Sequence, residues 1–186
     1  MLSSGLAEVA SSWSADGRSV YVLSTRSGQP EIWRLAVDAD RAPERITQGG
    51  GSQAFESPDG RWLYFTTGTD NSSVLRRALP TGPDTVLEKV GRVRKGYWAV
   101  SGAGIHRIFD DPEHMRGFVL VEPETGKKTE ILLHEKGDLV LGLSVNAGGD
   151  VVFDVNGHRE QDLFAVDLRP RAVFRIGVLR VGWPLW

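Results

Sequence analysis

The stretch Ser12-Trp13-Ser14-Ala15-Asp16-Gly17-Arg18 returns as Phe55-Glu56-Ser57-Pro58-Asp59-Gly60-Arg61, its glycine 43 positions further on. Two weaker copies follow, Trp98-Ala99-Val100-Ser101-Gly102-Ala103-Gly104 and Leu143-Ser144-Val145-Asn146-Ala147-Gly148-Gly149, at further steps of 44 and 45. A second motif keeps the same phase. Glu31-Ile32-Trp33-Arg34-Leu35-Ala36-Val37-Asp38 returns as Ser73-Val74-Leu75-Arg76-Arg77-Ala78-Leu79 and as Asp162-Leu163-Phe164-Ala165-Val166-Asp167-Leu168. In the third copy Gly117-Phe118-Val119-Leu120-Val121 fills that slot. Self-similarity at one fixed period marks a chain built from repeats of a single supersecondary unit.

Each unit reads as four strands. In the first they are Val9 to Trp13, Ser19 to Thr25, Glu31 to Val37 and Glu44 to Thr47. Ser57-Pro58-Asp59-Gly60 is a hairpin turn with a mechanism. Pro58 presets φ at the second turn position, Asp59 bonds nearby amides, and Gly60 supplies the left-handed residue that lets the next strand leave in register. Gly17, Gly60, Gly104 and Gly149 are therefore expected in equivalent turns between first and second strands. Ser27-Gly28-Gln29-Pro30 and Thr69-Asp70-Asn71-Ser72 lie where the middle hairpins turn, and Pro80-Thr81-Gly82-Pro83 and Pro123-Glu124-Thr125-Gly126 follow third strands. Trp33, Leu35 and Val37 alternate onto one face. That pattern predicts burial of Trp33 and of its counterparts Leu75 and Phe164. No stretch shows a helical period. Four-stranded units of about 40–45 residues in tandem define an all-β fold, the β-propeller. The four blades fall at about 7–48, 52–91, 95–135 and 138–170, followed by a tail at 171–186.

Composition narrows the function. The 186 residues include 22 Lys and Arg against 24 Asp and Glu, for a net charge of -2. A nucleic-acid-binding domain usually carries a basic excess, so none is expected here. Cysteine is absent, which excludes disulfide frameworks, thiolate catalysis and thiolate zinc sites. No apolar run approaches the roughly 18 residues of a membrane-spanning helix. Met1 to Trp13 has neither Lys nor Arg nor an apolar block, so it does not read as a signal peptide. The compartment stays open: cytoplasmic as the chain stands, periplasmic if a signal or membrane segment precedes it.

The repeats resemble the TolB-like family of propeller repeats, relatives of the WD-repeat fold. The residues that carry the resemblance are the Trp-Ser-x-Asp-Gly-Arg run at Trp13 to Arg18, the aromatic-rich second strand, and Ser27-Gly28-Gln29-Pro30-Glu31-Ile32-Trp33. The match covers about residues 7–168. Copies three and four lack the turn Asp, and Arg77 replaces an apolar third-strand residue. Propellers of this kind resemble parts of periplasmic Tol-system components, C-terminal sensor regions of bacterial winged-helix transcription regulators, extracytoplasmic regions of bacterial kinases, and prolyl-peptidase propellers. The order of blades looks most like the C-terminal end of the regulator type. Such propellers usually close with about six or seven blades. Four repeats therefore predict an incomplete, truncated propeller that associates with itself through open blade edges; a closed four-bladed ring is the alternative.

The candidate chemistry is sparse. No Gly-x-Ser-x-Gly nucleophile elbow occurs; the nearest string, Gly142-Leu143-Ser144-Val145-Asn146, fails at its last position, and Ser144 reads as a packing residue on an inner strand. His106, His114, His134 and His158 fall in different elements and lack helical metal-site spacing. Asp110, Asp111, Glu113 and His114 cluster, but without calcium-loop spacing they read as a solvated turn. Gly49-Gly50-Gly51-Ser52 has a phosphate cradle's composition without the following Lys-Ser or Lys-Thr, and reads as a flexible connector between blades. Arg92, Arg94 and Lys95 lie near Tyr97 and Trp98, whose pattern is that of an inner strand rather than of a nucleic-acid platform. Asp16 and Asp59 read as turn formers. The tail carries Arg169, Arg171, Arg175 and Arg180 and ends in Gly182-Trp183-Pro184-Leu185-Trp186. It reads either as an outer strand at Ala172 to Val181 or as a replacement of the family's ending. The expectation is no catalytic, cofactor-binding or metal-ligating residue, no cofactor and no membrane insertion. The chain then acts as a non-enzymatic module binding a protein or small ligand at a propeller face, within a larger bacterial regulator or envelope protein. The alternatives are the propeller of a prolyl-peptidase-like enzyme lacking its catalytic domain, or a periplasmic Tol-system-like scaffold.

Overall fold

A computed structural model describes residues 8–38, 41–68, 72–91, 97–110, 115–135, 139–156, 161–167 and 177–179. Among the described residues every regular element is a strand, and the strands form four antiparallel four-stranded sheets. The first contains β1 (Glu8–Trp13), β2 (Ser19–Ser24), β3 (Glu31–Ala36) and β4 (Glu44–Arg45), and the second β5 (Ala54–Glu56), β6 (Trp62–Thr66), β7 (Ser72–Ala78) and β8 (Asp84–Gly91). The third contains β9 (Trp98–Ser101), β10 (Gly104–Asp110), β11 (Met115–Val121) and β12 (Lys128–Glu135), and the fourth β13 (Leu139–Val145), β14 (Asp150–Asn156), β15 (Gln161–Asp167) and β16 (Gly177–Leu179). Within each sheet the strands pair in sequence order, an up-and-down meander. The chain divides into two compact units, Met1–Arg94 and Lys95–Trp186, each holding two sheets.

The first hairpin of each sheet shows why Ser-x-Asp-Gly recurs. Ser14 Oγ donates to Asp16 Oδ1 at 2.6 Å, and Ser57 Oγ donates to Asp59 Oδ1 at the same distance. Each aspartate also accepts a backbone amide two residues on, from Arg18 at 2.9 Å and Arg61 at 3.1 Å. The Gly17 and Gly60 amides close the turns onto Ser14 and Ser57 carbonyls, with φ of 68° and 69°. The turn consumes its own polar groups, as buried backbone requires. The weaker copies shorten the loop. Ser101 pairs directly with Gly104, so two residues make that turn and Gly104 (φ 139°) opens β10. A Cβ at Gly104 would lie 2.3 Å from Val121 O. In the fourth sheet Asn146 replaces the serine and accepts the Asp150 amide at 3.0 Å. All four glycines sit at the first hairpins as expected, but Gly104 closes a shorter turn.

The core lies between consecutive sheets of each unit. Tyr21 and Ile32 project from one face of the first sheet onto Ala54, Leu63 and Phe65 of the second. In the other unit Ile108 and Phe118 of the third sheet pack on Val151 and Phe153 of the fourth. Phe118 and Phe153 meet edge to face at 4.5 Å. Register places Ile32 opposite Leu23 and Phe118 opposite Ile108, so the two contacts use the same position of the repeat. This corrects the expected face. Ile32 and Val74 are 1% exposed, whereas Trp33 and Leu75 are half-buried and Val37 is 54% exposed. Both faces of a propeller sheet are apolar, so alternation alone does not choose between Ile32 and Trp33. The side chain of Phe164 lies outside the described residues. Ile32→Ala should cost about 2–5 kcal/mol and Trp33→Ala less, measured by urea unfolding. The reverse order would restore the other face as the packed one.

Candidate functional site

The first unit carries the polar chemistry, at the two ends of its inter-sheet contact. At one end the connector 46–53 folds back over β3. Glu31, fully buried, accepts from Arg45 Nη2 at 2.9 Å, Gln29 Nε2 at 2.7 Å, the Gly50 amide at 3.1 Å and, closest, the Thr47 hydroxyl. Burial works to raise the carboxyl's pKa, but these donors together outweigh it and hold the group below its ordinary value. Thr47 Oγ1 also receives the Ile32 amide at 2.9 Å. Gly51 sits so close that a Cβ there would lie 2.8 Å from Ile32 Cδ1 and 2.9 Å from Thr47 Oγ1. The segment expected to be a flexible linker does connect the first two sheets, yet it is pinned.

Beside this clasp a cavity of about 620 Å³ opens between the sheets, lined among others by Ile46, Gln48, Phe65, Thr67, Leu75 and Arg77. It exists because β4 pairs through only two residues with β3, leaving the outer part of the second sheet uncovered. Arg77 explains its own departure from the repeat. Its guanidinium grips Asp84 through Nε (2.6 Å) and Nη2 (3.0 Å), donates from Nη1 to Ile46 O at 2.7 Å, and covers the Phe65 ring at 5.4 Å. At the opposite end a cleft of about 490 Å³ is lined by Asp16, Arg34, Glu56, Asp59, Leu79 and Pro80, among others. Glu56 there accepts from Tyr21 Oη at 2.5 Å and from the Ala15 amide at 2.7 Å. Burial, then the bond to Glu56, pushes the Tyr21 phenol far above its usual value.

Asp16 and Asp59 occupy turns, where hydrogen bonds from Ser14 and Ser57 first, and then from backbone amides, depress both carboxyls, Asp59 to about 2. Sequence reasoning overlooked one pair in the second unit. His106 Nε2 lies 2.8 Å from Ser101 Oγ, and both are buried. That is half of a nucleophile–base arrangement, but His106 is 0% exposed, and its Nδ1 has no partner among the described residues. Ser101 occupies the position of Ser14 and Ser57, so the contact belongs to the turn. Ser144 lies in β13 but is exposed, which removes its expected packing role. Trp98 is buried in β9, away from any surface ligand, and Tyr97 packs on the neighbouring core. His114, His158, Asp111, Glu113, Arg92, Arg94, Lys95 and the four tail arginines lie outside the described residues, as do the side chains of Asp110 and His134. Among the described residues no group of three His, Asp or Glu is placed to hold a metal, and no helix is long and apolar enough to cross a membrane.

No protein-family model matches the sequence, and no curated protein does. Solved structures do. The chain resembles TolB from Acinetobacter baumannii with a TM-score of 0.72 at 16% identity, over 91% of this chain and 43% of that one. It resembles a TolB described as putative from Agrobacterium tumefaciens at 0.66 and 18% identity, over 92% of this chain and 61% of that one. A prolyl endopeptidase follows at 0.60 and 16%, over 92% of this chain and 28% of that one. The chain therefore has the fold of a TolB-like β-propeller, its four sheets are propeller blades, and it spans less than two thirds of either TolB structure.

Burial holds the His106 pKa down, to about 4. A group depressed below its unfolded value near 6.5 stabilises the fold above pH 6.5 and loses that contribution as pH falls through 4. The expected loss is at most about 3 kcal/mol. Urea unfolding at pH 7.5 and 4.5 should show this drop in the wild type and a smaller one in His106→Gln.

Proposed function

We propose that the chain is a non-enzymatic binding module, the sensory or protein-interaction region of a larger bacterial regulator or envelope protein. The supporting observation is how the first unit spends its reactive groups. Asp16 and Asp59 are bound up in turns, Glu31 in the clasp, and Glu56 with Tyr21. A groove of about 620 Å³ stays open to a partner, with an apolar floor of Ile46 and Leu75 and a polar rim of Gln48 and Thr67. A floor-and-rim composition suits recognition of an extended side chain or short peptide. A photo-crosslinker at exposed Gln48 should give a discrete adduct in cells expressing the chain, lost when Thr67→Trp fills the groove. An adduct unchanged by that filling would sink the groove as the contact. Turnover of a peptide or phosphate ester by the purified chain, abolished by one point mutation, would sink the non-enzymatic reading.

A second reading has its own support in the likeness to a prolyl endopeptidase. Here the chain is the propeller of a peptidase whose catalytic domain lies elsewhere. Encoded neighbours separate the two: a winged-helix segment upstream favours the regulator, a Gly-x-Ser-x-Gly hydrolase segment downstream the peptidase.

A further inference from the structure

The turn ends of the two units are built differently. In the second unit the short turns touch, the Gly102 amide donating to Ala147 O at 3.4 Å. In the first unit the longer Ser-x-Asp-Gly turns leave the cleft of about 490 Å³, walled by Asp16, Arg34, Glu56, Asp59, Leu79 and Pro80 among others. Two of its charged groups are spent. Glu56 gives one oxygen to Tyr21 and the other to the Ala15 amide, and Asp59 is taken by Ser57 and by the Arg61 amide and guanidinium. Two are not. Asp16 accepts from Ser14 and from the Arg18 amide through Oδ1 alone, so nothing among the described residues donates to Oδ2.

Arg34 is its counterpart. Register pairs it with Tyr21 on one side and Glu44 on the other, on the face that meets the second sheet. Its guanidinium nevertheless makes no hydrogen bond or ion pair among the described residues, and its Nε is shut off from solvent without an acceptor. Buried donors left without an acceptor are rare in folded proteins, and a ligand is one way to answer them. The two unspent charges feel each other: after the Ser14 and Arg18 bonds, the charge of Arg34 helps to hold the Asp16 carboxyl below its ordinary value. They do not pair. That arrangement selects by charge. A lone anion on Arg34 would meet three carboxylates, and a lone cation on Asp16 would leave Arg34 unanswered and be repelled by it. A molecule carrying both charges a few bonds apart complements both groups at once. Leu79 and Pro80 add an apolar wall, and a cleft of this size with few polar groups suits a small molecule.

We infer that this cleft binds a free α-amino acid with an apolar side chain, its carboxylate on Arg34, its ammonium on Asp16 and its side chain against Leu79 and Pro80. The site lies at the opposite end of the unit from the larger groove, so either can fail without the other. An NMR titration of the isotope-labelled chain with L-leucine tests it, beside two half-charged analogues. Leucinamide lacks the carboxylate, and 4-methylpentanoate lacks the ammonium. Leucine should shift the Ala15, Arg18 and Gly60 amides saturably, with a Kd of about a millimolar or tighter, and each analogue should bind at least about tenfold more weakly. Arg34→Met keeps an apolar stem, and Asp16→Asn keeps the acceptor its turn needs. Each should weaken leucine binding about tenfold or more, with the circular dichroism spectrum unchanged. The analogues are read on the wild type, so a variant that misfolds does not remove the test. Leucine that causes no saturable shift overturns the inference; so does an analogue that binds as tightly as leucine, or a folded variant that binds leucine as the wild type does.

Discussion

Everything in this molecule follows from one contact: a branched or aromatic side chain on the third strand of a sheet, pressing onto the second strand of the next. Ile32 makes it in the first unit and Phe118 in the second, at the same register position. A four-stranded meander alone exposes too much of two apolar faces to be stable, and stacking covers them. The contact dictates a period, because each repeat must deliver the same two positions to the same place. It also dictates an apolar second strand to receive it, which is why Leu63, Phe65 and Val151 are all buried.

The turns are where the repeats are free to differ. Ser14–Asp16 and Ser57–Asp59 satisfy their own backbone, so those loops need nothing from neighbours. Where the aspartate is missing the loop shortens instead, to two residues at Gly102–Ala103 and three at Ala147–Gly149. The backbone stays satisfied by a different route, with Asn146 standing in for a serine. Arg77 shows the same tolerance on a face: it replaces an apolar residue, lays its guanidinium over the Phe65 ring and pairs it with Asp84.

The architecture was legible because period and turn chemistry are local signals, and the Ser-Pro-Asp-Gly run states its turn outright. The packed face was not legible. Ile32 and Trp33 are both large and apolar, and only the neighbouring sheet distinguishes them. The clasp on Glu31 escaped notice for a related reason: three of its four donors lie 14 to 19 residues downstream, at Arg45, Thr47 and Gly50, and no spacing rule joins them. Glycine-rich composition at Gly49–Gly51 suggested slack, whereas Gly51 is glycine because Ile32 and Thr47 leave no room for a Cβ. Ser144 misled in the opposite direction, since an inner-strand position is buried only if its own face is covered.

The Glu31 clasp also bears on how the chain is made. All its partners lie within about 20 residues, so it can shut as soon as the first repeat has left the ribosome, before β6 has emerged. Short-range contacts of this kind form ahead of distant ones. Once Thr47 and Gly50 are tied to Glu31, the nascent chain leaves the first sheet in one fixed direction, already aimed along the face that carries Ile32. The second sheet then grows onto a prepared template rather than searching for one, and a fold of many β strands is assembled in the order in which it is translated.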